Sequence, residues 1–220
     1  MHPLRSFLFA PGNHPRKVEK VFQVGADVVI LDLEDAVAIT EKPATRATIV
    51  NALKKKHRGL GYVRINSLDT EFAWGDFAGV VGAWVDGIVL PKVETADQLQ
   101  TADWVLAQLE RENGMEIGGI DLLPIIETGL GLHNVEAITM AGTRIKRVSF
   151  GAGDFTRDMN LVWTGPEQEL AYARSRIVLA SRAAGIESPI DSVFIDLKDR
   201  EHLELSTQKA LEFGFQGKLC

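Results

Sequence analysis

The chain has 220 residues, of which 45% are apolar and 25% charged, and its formal net charge is −6. That is the profile of one soluble globular domain spanning 1–220, and the negative balance excludes a nucleic-acid binder, whose affinity rests on clustered cations. Cys220 is the single cysteine, which excludes internal disulfides. No apolar run approaches the roughly 18 residues of a membrane span, and the N-terminal MHPLRS lacks a signal-peptide pattern, so a cytoplasmic protein is expected.

In chain order, Ser6–Ala10 reads as a short apolar strand stopped by Pro11, Gly12 and Asn13. Val18, Val21 and Phe22 then fall at helical spacing, with Gly25 as the stop. Val28–Leu33 is a continuous apolar run holding one acid, Asp32, the pattern of a strand buried on both faces, and it ends in Glu34 and Asp35. The next helix starts near Pro43 and carries Ile49, Val50 and Leu53; the basic run Lys54, Lys55, Lys56, His57, Arg58 closes it, where cations suit the helix dipole. Tyr62–Ile65 is a third strand bearing Arg64, followed by a weaker helical stretch, Phe72–Val81, interrupted by Gly75 and Gly79.

Gly87–Val93 reads as the fourth strand, with Lys92 near its end. Thr95 and Gln98 form a capping box ahead of Leu99, Ala102, Leu106 and Leu109 on one helical face. Leu122–Glu127 is the fifth strand, with a helix around Asn134–Ala141. Val148, Ser149 and Phe150 make the sixth; it breaks at Gly151, Ala152 and Gly153 before Asp154, and its helix is expected over Glu167–Ala184. Two glycines there let the backbone turn and approach a neighbour closely. Ser188–Ile195 is a seventh strand, Leu203–Phe213 a helix closed by Gly214, and Phe215–Cys220 an eighth strand.

Strands alternating with helices in this rhythm indicate a parallel sheet, and an eight-fold repeat favours a closed TIM (β/α)8 barrel. An open doubly wound sheet would carry a nucleotide fingerprint, and Gly151 and Gly153 lack the third glycine, since Thr156 stands in its place. Barrel sites lie at the carboxyl ends of strands. Arg64, Glu127 and Asp154 all fall there, as a site or as a buried ion network.

The segments RSFLFAPGN (5–13), VILDLEDAV (29–37), YVRIN (62–66), GIVLPKVE (87–94), PIIET (124–128), FGAGDFTRD (150–158) and GFQGKLC (214–220) resemble, in order, the motifs of the citrate lyase β-subunit-like branch of the HpcH/HpaI aldolase family. The resemblance runs from Arg5 to Cys220. It implies a TIM barrel that binds magnesium and cleaves or forms carbon–carbon bonds in β-hydroxyacyl thioesters of coenzyme A or an acyl carrier, with a keto acid as one partner. By resemblance, Glu127 and Asp154 are metal ligands and Arg64 clamps a carboxylate or enolate oxygen. Magnesium takes oxygen ligands and keeps waters, and a planar guanidinium suits a carboxylate, so the chemistry of the residues agrees.

Glu34 and Asp35 are expected to wall the site, orienting metal-bound water or Arg64, with capping or solvated acids as the alternative. Asp32 is placed inside the barrel as a pairing partner, and Asp158 in the turn or first helical residues after the sixth strand. Lys92 stands where a Schiff-base aldolase keeps its lysine, but an ion pair with neighbouring carboxylates is the preferred reading. Arg16 and Lys17 fall in the region that meets coenzyme A phosphates in the family, with Lys42 and Arg46 as further candidates; a solvated helix face is the alternative. The family continues beyond GKLC into an eighth helix and a C-terminal lid, which in several members reaches a neighbouring subunit's site and supplies an acid. A barrel lacking both is therefore expected here, with a homo-oligomer (trimer or hexamer) covering exposed apolar surface. Three other functions fit the same residues: a thioesterase, a non-catalytic thioester-binding subunit, and a glycosidase using Glu127 and Asp154. The low aromatic content of 7% speaks against the last.

Overall fold

In a computed structural model that describes residues 4–196 and 198–220, eight parallel strands close into a barrel in the order β1 to β8. The first three residues of MHPLRS lie outside the described residues. The strands are β1 (Ser6–Pro11), β2 (Val28–Asp32), β3 (Leu60–Arg64), β4 (Gly87–Leu90), β5 (Asp121–Ile126), β6 (Ser149–Phe150), β7 (Ile190–Asp191) and β8 (Gly217–Leu219). The helices are α1 (Pro15–Val21), α2 (Lys42–Leu53), α3 (Ala73–Val80), α4 (Ala96–Glu112), α5 (Gly129–His133), α6 (Val135–Thr139), α7 (Ala152–Asp158), α8 (Ala171–Ala183) and α9 (Arg200–Phe213). β8 closes the ring against β1, with Ser6 opposite Lys218.

Alternation along the strands divides the core in two. Phe7, Val28, Ile30, Tyr62, Val89, Leu123, Ile125, Ile190 and Leu219 fill the barrel interior. Val29, Leu31, Val63, Ile88, Leu90, Leu122 and Ile126 face the helical layer instead. Every residue of β2 and of β5 is buried, as expected of strands covered on both faces. The same parity continues past the apolar layers. Counting by twos from Ile30, Tyr62 and Ile125 puts Asp32, Arg64 and Glu127 at interior positions at the carboxyl end. The residues that fill the barrel and the residues at its mouth are successive members of one column.

The capping box forms as expected, with Thr95 Oγ1 accepting from Gln98 N at 3.3 Å and Gln98 Oε1 accepting from Thr95 N at 3.1 Å. The interruption expected at Gly75 and Gly79 does not occur, since α3 runs through both; their lack of a side chain serves packing instead, as a Cβ at Gly75 would lie 2.6 Å from Arg46 Nη1, and one at Gly79 3.0 Å from its Cδ. Several expected elements differ. The fourth strand stops at Leu90, three residues short of Val93. The expected helix after the fifth strand begins earlier, as α5 and α6. The turn expected at Gly151–Asp154 is instead the start of α7. The eight-residue seventh strand shrinks to two residues, because the chain beyond Asp191 turns to α7 and Ser192 Oγ accepts Ala152 N at 2.8 Å.

No helix among the described residues is long and apolar enough to cross a membrane. An apolar groove of about 580 Å³ runs beside β8, between β1 and α9, lined in part by Leu203, Ala210, Leu211 and Phe215.

Candidate active site

Register brings the first two site residues together: Asp32 is the Cα partner of Arg64 across β2 and β3. Arg64 donates in bidentate fashion, Nε to Asp32 Oδ1 and Nη2 to Asp32 Oδ2, both at 2.7 Å. Asp32 also accepts Glu34 N at 2.9 Å and Ala36 N at 3.1 Å, so it organises the turn that carries Glu34. Although burial opposes it, the Arg64 guanidinium holds the Asp32 carboxyl below its ordinary range. Arg64 Nη1 lies 3.1 Å from Glu34 Oε2, yet that oxygen is buried without an aligned hydrogen bond. The face of the guanidinium lies 4.9 Å from the centroid of the Phe9 ring, another interior position.

Glu127 follows β5 directly and is 2% exposed. Lys92 N donates to its Oε1 at 2.8 Å. Burial, reinforced by the charges of Glu34 and Asp154 and opposed by Arg64, pushes this carboxyl up to about 8. A carboxylate that would hold a proton at neutral pH, with two further acids in electrostatic reach, is a position at which a cation relieves a real cost. Asp154 occupies the first turn of α7, with its side chain 20% exposed and paired with Arg157. Among the described residues no cluster of three or more His, Cys, Asp or Glu assembles as a ready-made metal cage. Two carboxylates, one buried and one partly exposed, fit a hard divalent cation that keeps waters and accepts substrate oxygens.

Gly151 makes the approach of these strands possible. A Cβ there would lie 2.6 Å from Glu127 Cβ and 2.5 Å from its Oε2. Its φ is −107°, so it is needed for space and not for an unusual backbone conformation.

Glu34 is buried, and burial raises its carboxyl above the ordinary value against the opposing pull of Arg64 and Lys92. Lys92 Nζ bonds Glu34 Oε1 and lies 3.7 Å from Asp35 Oδ1, the ion-paired arrangement expected. Arg16 and Lys17 are exposed in the first turn of α1, which leaves the carboxyl end of β1.

Three expectations need correction. Lys42 is buried, and its ammonium donates to Leu33 O at 2.9 Å, Glu34 O at 2.6 Å and Asn66 Oδ1 at 2.7 Å. Its three donors are spent inside the protein, so it braces the β2 loop and has none left for a phosphate. Arg46 is likewise held, by Asp76 Oδ1 at 2.8 Å and Phe72 O at 3.2 Å. Asp158 is the last residue of α7, not an early one, and accepts Gly129 N at 2.7 Å.

The sequence reading passed over Asn66 and Asp76. Asp76 is fully buried and accepts Asn66 N at 2.9 Å and Asn66 Nδ2 at 2.6 Å, while Asn66 Nδ2 also reaches Leu33 O at 3.1 Å. A signal for Asn66 existed: a polar residue directly beyond an apolar strand, inside YVRIN.

A sequence profile of the HpcH/HpaI aldolase/citrate lyase family matches residues 5–220. The chain is 39% identical to a citrate lyase subunit beta from Leuconostoc mesenteroides subsp. cremoris, over 97% of this chain and 71% of that protein. It is 34% identical to an L-malyl-CoA/beta-methylmalyl-CoA lyase from Cereibacter sphaeroides, over 98% of this chain and 74% of the relative. A solved citrate lyase beta subunit from Mycobacterium tuberculosis, complexed with oxaloacetate and magnesium, superposes with a TM-score of 0.81 at 28% identity, covering 99% of this chain and 91% of that one. With its profile matched from the first strand to the last residue, the chain belongs to the HpcH/HpaI aldolase/citrate lyase family.

Proposed function

We propose that the protein is a magnesium-dependent carbon–carbon lyase of the retro-aldol or Claisen type, acting on short β-hydroxyacyl thioesters of coenzyme A or an acyl carrier. Citryl, malyl and citramalyl thioesters are the range intended. One observation carries the reading: a guanidinium fixed by two hydrogen bonds to Asp32 shares the barrel mouth with a buried carboxyl, Glu127, whose burial and acidic neighbours favour a cation. The names of the relatives support it, as does the oxaloacetate and magnesium bound by the Mycobacterium tuberculosis protein.

In such a cleavage the β-hydroxyl loses its proton and its oxygen becomes the carbonyl of the departing keto acid. The electron pair of the broken carbon–carbon bond passes to the carbon beside the thioester, and protonation of that enolate completes the acyl thioester. Magnesium, held by Glu127 and Asp154, would supply Lewis-acid polarisation of the oxygens of the keto-acid portion. Arg64 meets the developing negative charge with the N–H groups that Asp32 does not use, and being held beforehand it need not reorganise during the reaction. Arg16 and Lys17 receive the phosphates of the thioester's carrier group.

The test is a panel of short β-hydroxyacyl-CoA thioesters incubated with magnesium, scored for keto-acid release and for free thiol. Keto acid without thiol is the expected result. Thiol release alone would make the protein a thioesterase, and binding without either product a non-catalytic thioester-binding subunit.

A further inference from the structure

The peptide that joins Leu33 to Glu34, just beyond β2, is held on both of its edges. Its carbonyl, Leu33 O, accepts the Lys42 ammonium at 2.9 Å and Asn66 Nδ2 at 3.1 Å. Its N–H, that of Glu34, donates to Asp32 Oδ1 at 2.9 Å. The same Asp32 oxygen accepts Arg64 Nε at 2.7 Å. A peptide is planar, so holding its carbonyl also fixes the direction of its N–H. One line of hydrogen bonds therefore runs from Lys42, through this peptide and Asp32, to the guanidinium of Arg64.

Lys42 is the first residue of α2 and is buried. Its other two acceptors, Glu34 O at 2.6 Å and Asn66 Oδ1 at 2.7 Å, are uncharged like the first. Burying an ammonium is costly, and none of these oxygens carries a charge to offset it. The ammonium instead ties the loop after β2 to the residue two places beyond Arg64. Asn66 is turned to receive it: Nδ2 donates to Asp76 Oδ2 at 2.6 Å, which leaves Oδ1 facing Lys42. Asp76 is fixed in turn by Arg46 Nε at 2.8 Å.

We infer that Lys42 is a positioning residue for Arg64: by holding the Leu33–Glu34 peptide, its ammonium keeps the Glu34 N–H on Asp32 and so keeps Asp32 oriented to grip the guanidinium at the barrel mouth. That Arg64 then receives an anionic keto acid rests on the function proposed above. The hydrogen-bond line itself does not.

The test follows the line from one end to the other. Lys42→Met keeps the length of the side chain without its donors, and Lys42→Gln, which keeps two donors on a shorter neutral chain, guards against loss of folding in the first. Each variant is first checked by circular dichroism. Heteronuclear NMR then follows the Arg64 Nε–H signal, assigned by its loss in Arg64→Lys, whose exchange with water reports how firmly Asp32 holds it. Arg174 Nε, bonded to the buried Asp191 at 2.9 Å, serves as an internal reference on the far side of the barrel. Exchange at Arg64 should quicken about tenfold in Lys42→Met, a coupling of common size for groups in one network, with Arg174 unchanged. By calorimetry, pyruvate affinity at saturating magnesium should also fall about tenfold, while affinity for magnesium alone is kept.

Unchanged exchange at Arg64 in a folded Lys42→Met would overturn the inference. So would equal quickening at Arg64 and Arg174, an equal loss of magnesium and pyruvate affinity, or failure of both variants to fold, since Lys42 would then serve the fold at large. Quicker exchange with unchanged pyruvate affinity would remove Lys42 from the site. Failure of the unaltered protein to bind pyruvate with magnesium is a different result: it would sink the functional reading and leave the NMR comparison standing.

Discussion

Gly151 shows how far one missing methyl group reaches. The sequence marks the position as a break, and the structure supplies the reason: the space its Cβ would fill is occupied by Glu127. Gly151→Ala must therefore push Glu127 or part β5 from β6. The expected cost is about 1–3 kcal/mol of stability, as for other overpacked sites. Because the displaced group is a proposed metal ligand, magnesium affinity should fall further than stability does. Parallel chemical denaturation and calorimetry check this; an alanine variant that binds magnesium normally would show that Glu127 tolerates the shift. Lys92 gives a second prediction at this scale. Burial opposes its charge, but the bond to Glu34 outweighs it and keeps the ammonium above the ordinary lysine range, hence protonated and poorly nucleophilic. Borohydride with pyruvate should leave no adduct detectable by mass spectrometry, and chelation should stop turnover. A reduced adduct on Lys92 together with chelator-resistant turnover would replace metal chemistry by a Schiff base. The residues that alternation and strand ends expose, Arg64, Glu127 and Asp32, were legible in the sequence. Lys42 was not, because a lysine that bonds three internal oxygens looks in one dimension like a lysine facing solvent.

Elements were read best where they are long. The runs of β2 and β5 and the apolar face of α4 follow from periodicity alone, since burial on two faces or one stripe leaves a pattern in the residues. β6 and β7, with two residues each, leave almost none. α7 was missed because Gly151 and Gly153 argue against a helix, and tertiary context overrides them: Ser192 takes the otherwise unpaired Ala152 N–H, and Asp158 takes Gly129 N. The anchoring of α4 to β5 lends itself to a pH test. Glu110 is fully buried on α4 and accepts Gly118 N at 2.8 Å, Ile120 N at 2.9 Å and Arg144 Nη1 at 2.6 Å. Burial works against the charge, but Arg144 and the two amides prevail and hold the carboxyl below its reference value of 4.5. A carboxyl lowered in the folded state binds fewer protons than in the unfolded chain. Its contribution is therefore complete above the unfolded value and is lost as pH falls through the folded one. Unfolding measured from pH 7 downward should show stability falling below about pH 4.5. Glu110→Gln should be less stable at pH 7 and flatter over that acid limb. An equally steep acid limb in the variant would assign the loss to other carboxylates.

The barrel as a whole makes the proposed cation site a property of the folded state alone. Glu127 comes from the end of β5 and Asp154 from α7 beyond β6, and they are separated by 27 positions that the pairing of β5 with β6 brings together. The neighbours that bias Glu127 come from the ends of β2, β3 and β4. An unfolded chain offers scattered carboxylates and no such convergence. Magnesium should consequently bind the native state in preference and raise its stability by RT ln(1 + [Mg]/Kd), about 2.7 kcal/mol at a hundredfold excess over the dissociation constant. For a chain of this size each 1 kcal/mol moves the melting temperature by roughly 2–4 °C. A shift of about 5–10 °C is expected at that excess, growing with the logarithm of magnesium concentration. The paired variant Glu127→Gln with Asp154→Asn keeps the shape of both side chains and removes both charges. It should melt close to the temperature of the metal-free protein, because a Glu127 that holds its proton there is already neutral, and magnesium should no longer move it. Pyruvate added with magnesium should raise the unaltered protein further, since Arg64 and the cation then share one ligand. A magnesium-dependent shift that survives in the paired variant would mean that the cation binds elsewhere on the barrel, and that the two carboxylates at the mouth serve only to anchor Arg157 and the Lys92 amide.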